Sequence, residues 1–114
     1  MKWLRITLAL LIVDWILGIP GVGIETRTGP GNGVMDWVYS VVGVAILLAL
    51  ILTWARPAWA RPLAMAVGGA AVVLAVLDMV GMTSGAPAPA GMIAVDLGGI
   101  AIGAAIVWAA RRPA

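Results

Sequence analysis

Four apolar runs, each followed closely by glycine or proline, take up most of the 114 residues of this chain. The runs cover approximately residues 4–19, 34–55, 63–83 and 91–110. About 20 apolar residues suffice for a helix to cross a bilayer, and glycine or proline after such a run is typical of a helix end. We therefore predict an all-α membrane protein in which four transmembrane helices form a single domain over residues 1–114.

The composition excludes most other classes of protein. Hydrophobic residues make up 63% of the chain and charged residues 11%, and a soluble domain of this size could not hide so much apolar surface. The chain has neither cysteine nor histidine, which removes disulfides, thiolate sites and the commonest general base and zinc ligand. We expect no catalytic residue, no enzyme activity and no cofactor beyond a bound cation, whose identity the residues leave open.

Six of the seven basic residues flank the runs on one side of the predicted membrane. They are Lys2, Arg5, Arg56, Arg61, Arg111 and Arg112. The positive-inside rule then places both termini in the cytoplasm. Because these residues lie at segment ends rather than along one stripe, we expect no nucleic-acid partner despite a pI of 10.0. The preference for arginine over lysine, with many alanines and glycines, is typical of a GC-rich bacterial genome and predicts a bacterial cytoplasmic membrane.

The two halves of the sequence, residues 1–58 and 63–114, resemble each other. Each contains an aspartate late in its first run, Asp14 or Asp78, and another early in its second run, Asp36 or Asp96. Each half also ends on tryptophan, alanine, arginine and proline. The pattern predicts two tandem helical hairpins, as in transporters with parallel repeats. The alternative is chance, because segments rich in alanine, valine and leucine align with one another easily.

These four aspartates, one in each run, carry most of the functional information. Ionisable residues inside spanning helices are costly and rarely face lipid. Helical spacing places each aspartate beside the small residues of its own helix, roughly 3–8 Å inside the same membrane boundary. We therefore predict an outward-facing site for a cation or proton formed by Asp14, Asp36, Asp78 and Asp96, together with Ser40.

The small-residue stripes of the third and fourth runs include Gly68, Gly99 and Gly103. Small residues one turn apart let helix backbones approach closely. We expect these glycines to pack helices against one another. We also expect glycine and alanine faces to join the chain to further copies of itself or to a larger membrane complex.

Three functions are compatible with this pattern. The first is cation binding, or transport coupled to protons or cations, at the aspartates. The second is an accessory or assembly subunit of a larger membrane complex, in which the aspartates contact a partner or lipid headgroups. The third is an enzyme acting on lipid with a carboxylate pair. In a plainer interpretation, Asp36 and Asp96 cap helix starts, whereas Asp14 and Asp78 reach water at the membrane surface.

Overall fold

Four helices make up the regular structure of the chain. The computed structural model describes residues 1–19, 23, 33–81 and 88–112, and for residues 33–36 it describes only the backbone. The helices are α1 (Lys2–Leu17), α2 (Gly33–Ala55), α3 (Pro57–Met79) and α4 (Ala90–Arg111). The predicted all-helical fold is therefore confirmed.

Three of the four helices, α2, α3 and α4, are long and apolar enough to cross a membrane. The first helix, α1, has 16 residues. At 1.5 Å per residue it is about 24 Å long, which is shorter than the hydrocarbon core of about 30 Å. The membrane character predicted from the sequence is thus supported by three spans of sufficient length, and α1 stands apart from them.

The helices form a closed ring of antiparallel neighbours. Contacts join α1 to α2, α2 to α3, α3 to α4, and α4 back to α1. The bundle measures 22 × 21 Å across its long axis, which is the width of two packed helices. Its interior is filled by large apolar side chains, among them Leu8, Leu11, Ile46 and Ile106. The four described helices thus enclose a packed core rather than a wide pore.

The bounds of α3 differ from the predicted run at residues 63–83. The helix begins at Pro57, with only Arg56 between it and the end of α2, because proline is well suited to the first position of a helix. It then continues through Pro62. At its other end the helix stops at Met79, and Gly81 follows with a φ of 84°. Glycine adopts this left-handed conformation without steric cost, so it ends the helix here.

Basic side chains tie the helices together at one end of the bundle. The guanidinium of Arg5 on α1 donates to the hydroxyl and to the carbonyl oxygen of Thr53 on α2, at 3.1 and 3.0 Å. Arg61 on α3 donates to the carbonyl oxygen of Ala110 on α4 at 3.1 Å, and to that of Arg112. We call this the basic end, because all six described basic residues lie on helix termini that meet there.

The closest approach between helices is at Gly68 on α3 and Gly103 on α4. A Cβ atom added at Gly68 would lie 2.8 Å from the carbonyl oxygen of Gly103, and one added at Gly103 would lie 2.6 Å from that of Gly68. Both distances are shorter than van der Waals contact and involve backbone atoms, so any side chain here would push the helices apart.

We expect Gly103→Ala to lower the free energy of unfolding by about 1–3 kcal/mol, the usual cost of overpacking. The matched control is Gly69→Ala, since a Cβ added at Gly69 meets nothing within 4 Å. That change should be neutral, or stabilising by up to about 1 kcal/mol through helix propensity. Denaturant unfolding of the purified protein in detergent micelles measures both. Equal effects of the two substitutions would contradict the close contact.

Candidate functional site

Asp14 of α1 points its carboxyl group at two adjacent glycines of α4. A Cβ atom added at Gly98 would lie 2.8 Å from Oδ1 of Asp14, and one added at Gly99 would lie 3.2 Å from Oδ2. The carboxyl group therefore occupies space that any other residue would fill with a side chain. Asp14 is half-buried in this position.

The neighbouring contacts define the register between α3 and α4. A Cβ atom added at Gly103 would lie 3.4 Å from the Cβ of Ala71, and one added at Gly99 would lie 3.7 Å from the Cβ of Ala75. Moving four residues forward on α3 thus corresponds to moving four residues backward on α4. This is the relation expected of antiparallel helices that contact each other along one face.

One further turn in this register brings Asp78 of α3 opposite Asp96 of α4. The two aspartates are three residues beyond Ala75 and three residues before Gly99, respectively. Both are buried, with exposed fractions of 6% and 7%. Two carboxyl groups from facing helices therefore lie inside the bundle at the same level.

Asp14 belongs to the same region of the interior. It is level with Gly98 and Gly99, and Asp96 is two to three residues closer to the start of α4. This offset corresponds to about 3–5 Å along the helix axis. The structure thus brings three of the predicted site residues, Asp14, Asp78 and Asp96, into one half of the bundle. We call this half the aspartate end, because it is opposite the basic end.

In the hairpin of α1 and α2, Asp36 lies at a different level along the bundle from Asp14. Arg5 contacts Thr53 and Trp15 contacts Gly43, and this register puts residue 44 opposite Asp14. Asp36 is eight residues from residue 44, which is about 12 Å along the axis of α2. It belongs to the first turn of that helix, and its side chain lies outside the described residues. Its predicted place in the site stays a prediction.

Ser40 is the fifth residue of the predicted site. It is exposed on α2, unlike Asp78 and Asp96. Within the described parts of the chain, no three acidic side chains are grouped as a metal site would require. The five-residue site therefore stays a prediction, of which the structure brings Asp14, Asp78 and Asp96 into one half of the bundle.

Trp15, which follows Asp14 directly, holds α1 in position. Its indole Nε1 donates to the carbonyl oxygen of Tyr39 at 3.1 Å, and the two rings pack with their centroids 5.5 Å apart. The edge of the indole lies against Gly43, 3.1 Å from where a Cβ would be. The sequence pattern alone did not indicate this packing role for Trp15. Gly43 and Gly98 were not recognised as receiving α1 side chains, although the adjacent glycines at 98 and 99 are a signal of close approach.

We expect Asp14 and Gly98 to be energetically coupled. Gly98→Ala places a methyl group against the Asp14 carboxyl and should destabilise the protein more than it does when Asp14→Ala is also present. The coupling free energy should be about 0.5–1 kcal/mol, the lower part of the range for contacting residues. Unfolding of the two single variants and the double variant in detergent measures it. Additive effects would show that the carboxyl group does not lie against α4.

Comparisons with known proteins supply no relative for this chain. No protein family, curated protein or solved structure matches it. The function proposed below therefore rests on the side chains and helices just described.

Proposed function

We propose that this chain is a small integral membrane protein that takes up a cation, in the first place a proton, at Asp14, Asp78 and Asp96. The observation that carries the proposal is the presence of three aspartates from three helices in one half of a packed bundle. Two of these groups are almost completely buried. Ionisable residues in such positions are costly, and in membrane proteins they are typical of ion and proton pathways.

The protein crosses the membrane four times in this proposal, with α1 as the fourth span. The outward face of α1 carries exposed apolar side chains at helical spacing, at Trp3, Ile6, Leu10 and Val13. Such a face suits lipid, and the opposite face of α1 packs on α2 and α4. A short hydrophobic helix is accommodated by local thinning of the bilayer at a modest cost.

The orientation follows from the separation of charges along the bundle. Arginine and lysine collect at the basic end, so this end and both termini face the cytoplasm of a bacterial cell. Asp78 and Asp96 then lie in the outer half of the membrane, roughly 2–9 Å from the outer ends of their helices. Asp14, which is level with Gly98 and Gly99, lies nearer the middle of the membrane. The site receives its cation from the outer surface.

A proton is the cation that best suits this geometry. A carboxyl group between packed helices becomes neutral on taking up one proton and needs no further ligand. Calcium or magnesium would require six or more oxygen ligands in an ordered sphere. Asp78 and Asp96 face each other across α3 and α4, so the charge of one affects proton binding to the other. Protonation of the group relieves repulsion inside the bundle.

A second candidate function is assembly with another membrane subunit through α4. The outward face of α4 has small exposed residues at Ala90, Ala94, Ala101 and Ala104, with Leu97 and Trp108 in the same stripe. The exposed residues of α2 are mainly large, such as Val44 and Leu48. Small residues in a stripe allow close helix packing in a bilayer, so α4 is the face that a partner would cover. In this case the aspartates stabilise the assembled state and move no ion.

Proton flux into liposomes distinguishes these functions. With an imposed pH gradient, we expect flux through the reconstituted protein to fall by at least about tenfold in Asp14→Asn and in Asp78→Asn, because each change removes a group that exchanges protons. The control is Glu25→Gln, which removes a carboxylate from outside the predicted runs and should leave flux unchanged. A pH-sensitive dye inside the vesicles reports the rate.

Two results would count against proton transport. Flux equal to that of the unmodified protein in both aspartate variants would exclude transport through this site. Flux at the level of protein-free vesicles, together with a stable oligomer whose formation is lost in Ala101→Trp, would favour assembly through α4.

A further inference from the structure

An apolar groove runs along the surface between α2 and α3, close to the basic end. It has a volume of about 460 Å³. Its walls come from Leu48 and Leu52 on α2 and from Trp59, Pro62 and Ala66 on α3. The groove lies on the outside of the bundle, on helices that are both long and apolar enough to span a membrane. Its natural surroundings are therefore lipid.

The distance from Arg56 to the far end of the groove corresponds to one leaflet of a bilayer. The groove extends from Ala58 to Ala66, and Arg56, the single residue between α2 and α3, lies two residues before Ala58 in the chain. Ten residues separate Arg56 from Ala66, which is about 15 Å along a helix. This is half of a hydrocarbon core of about 30 Å. A ligand with its polar group at Arg56 would have its apolar part alongside the helices within one leaflet.

The groove is lined by apolar side chains and is open toward the outside of the bundle. A hydrocarbon chain needs no hydrogen-bond partner on such a surface, so the lipid around the two helices is its natural occupant. The charge beside the groove then determines which lipid headgroup is preferred.

Arg56 supplies a positive charge that the rest of the protein leaves available. Arg5 and Arg61 are engaged by oxygen atoms of Thr53 and of the end of α4. Arg56 is exposed; its backbone bonds to Leu52, Trp59 and Ala60, whereas its guanidinium has no hydrogen-bond or ion-pair partner among the described residues. The described side chains of the basic end include no acidic residue that would compete for it. Basic residues beside grooves between spanning helices are typical sites for anionic lipid headgroups.

We propose that the groove between α2 and α3 binds one acyl chain of an anionic phospholipid, whose phosphate is held by Arg56. The exposed indole of Trp59, at the same level, packs on the glycerol region of the lipid, where amphipathic rings are favoured. The lipid comes from the leaflet on the basic side. This site is separate from the aspartates and does not depend on what they bind.

Retention of lipid by the purified protein tests this proposal. The full chain is reconstituted in phosphatidylcholine vesicles containing a minority of phosphatidylglycerol and then extracted with mild detergent. Mass spectrometry measures the ratio of the two lipids that stay bound. We expect phosphatidylglycerol to be enriched over its share of the vesicles. The enrichment should fall about fivefold in Arg56→Gln, which corresponds to one arginine at an anionic surface.

Two control variants separate the site from general effects. Arg111→Gln removes another exposed charge of the basic end, away from the groove, and should leave the enrichment within about twofold. Ala66→Phe fills the groove and should release phosphatidylglycerol and phosphatidylcholine alike, whereas Ala9→Phe on the exposed face of α1 should release neither. Circular dichroism checks that each variant keeps its helices. If Ala66→Phe does not fold, the comparison of Arg56→Gln with Arg111→Gln tests whether Arg56 holds the lipid.

Several results would overturn the proposal. They are equal losses in Arg56→Gln and Arg111→Gln, no enrichment of phosphatidylglycerol in the unmodified protein, and full retention of lipid in a folded Ala66→Phe. Cross-linking of two copies through Trp59 in place of bound lipid would also overturn it, because a second copy would then cover this surface.

Discussion

The close packing of α4 on its neighbours is the interaction on which the rest of the structure depends. At Gly103 the backbone of α4 approaches that of α3 more closely than any side chain would allow, and at Gly98 and Gly99 it leaves space for the carboxyl group of Asp14. Because α4 is held against both α1 and α3, its own Asp96 lies between them, opposite Asp78. Without these glycines the helices would stand further apart, and the three carboxyl groups would not share one region.

Charged residues of opposite sign are also separated along the bundle axis, basic residues at one end and acidic residues at the other. At the basic end, arginines bind oxygen atoms of neighbouring helices and fix the ends of α1 and α3. At the aspartate end, carboxyl groups are inside rather than on the surface. The separation of charges gives the two ends opposite character. We propose that it orients the chain in the membrane, that the aspartate end takes up a proton and that the basic end holds an anionic lipid.

The sequence predicted the helices well because membrane spans depend on long apolar runs, which are local features. The prediction was less accurate for helix bounds and side-chain positions, which depend on local backbone geometry and on contacts between helices. The start of α3 was expected at residue 63, but proline is tolerated early in a helix, so α3 begins at Pro57. The ends of the apolar runs predicted depths of roughly 3–8 Å inside one boundary for all four aspartates. Depth in a hairpin, however, depends on the register between helices, which contacts such as that of Trp15 with Tyr39 establish. The position of Gly98 beside Asp14 depends on the packing of two helices distant in sequence.

A shared site among Asp14, Asp78 and Asp96 is tested most directly by following their titration in a bilayer. Solid-state NMR of the protein with labelled aspartate carboxyl carbons resolves the protonation of each group as a function of pH. If the three groups share one site, Asp14→Asn shifts the titration of Asp78 and Asp96, because interacting carboxyl groups titrate together. Titration curves of Asp78 and Asp96 that stay unchanged in Asp14→Asn, in a protein that is still folded, would contradict a shared site.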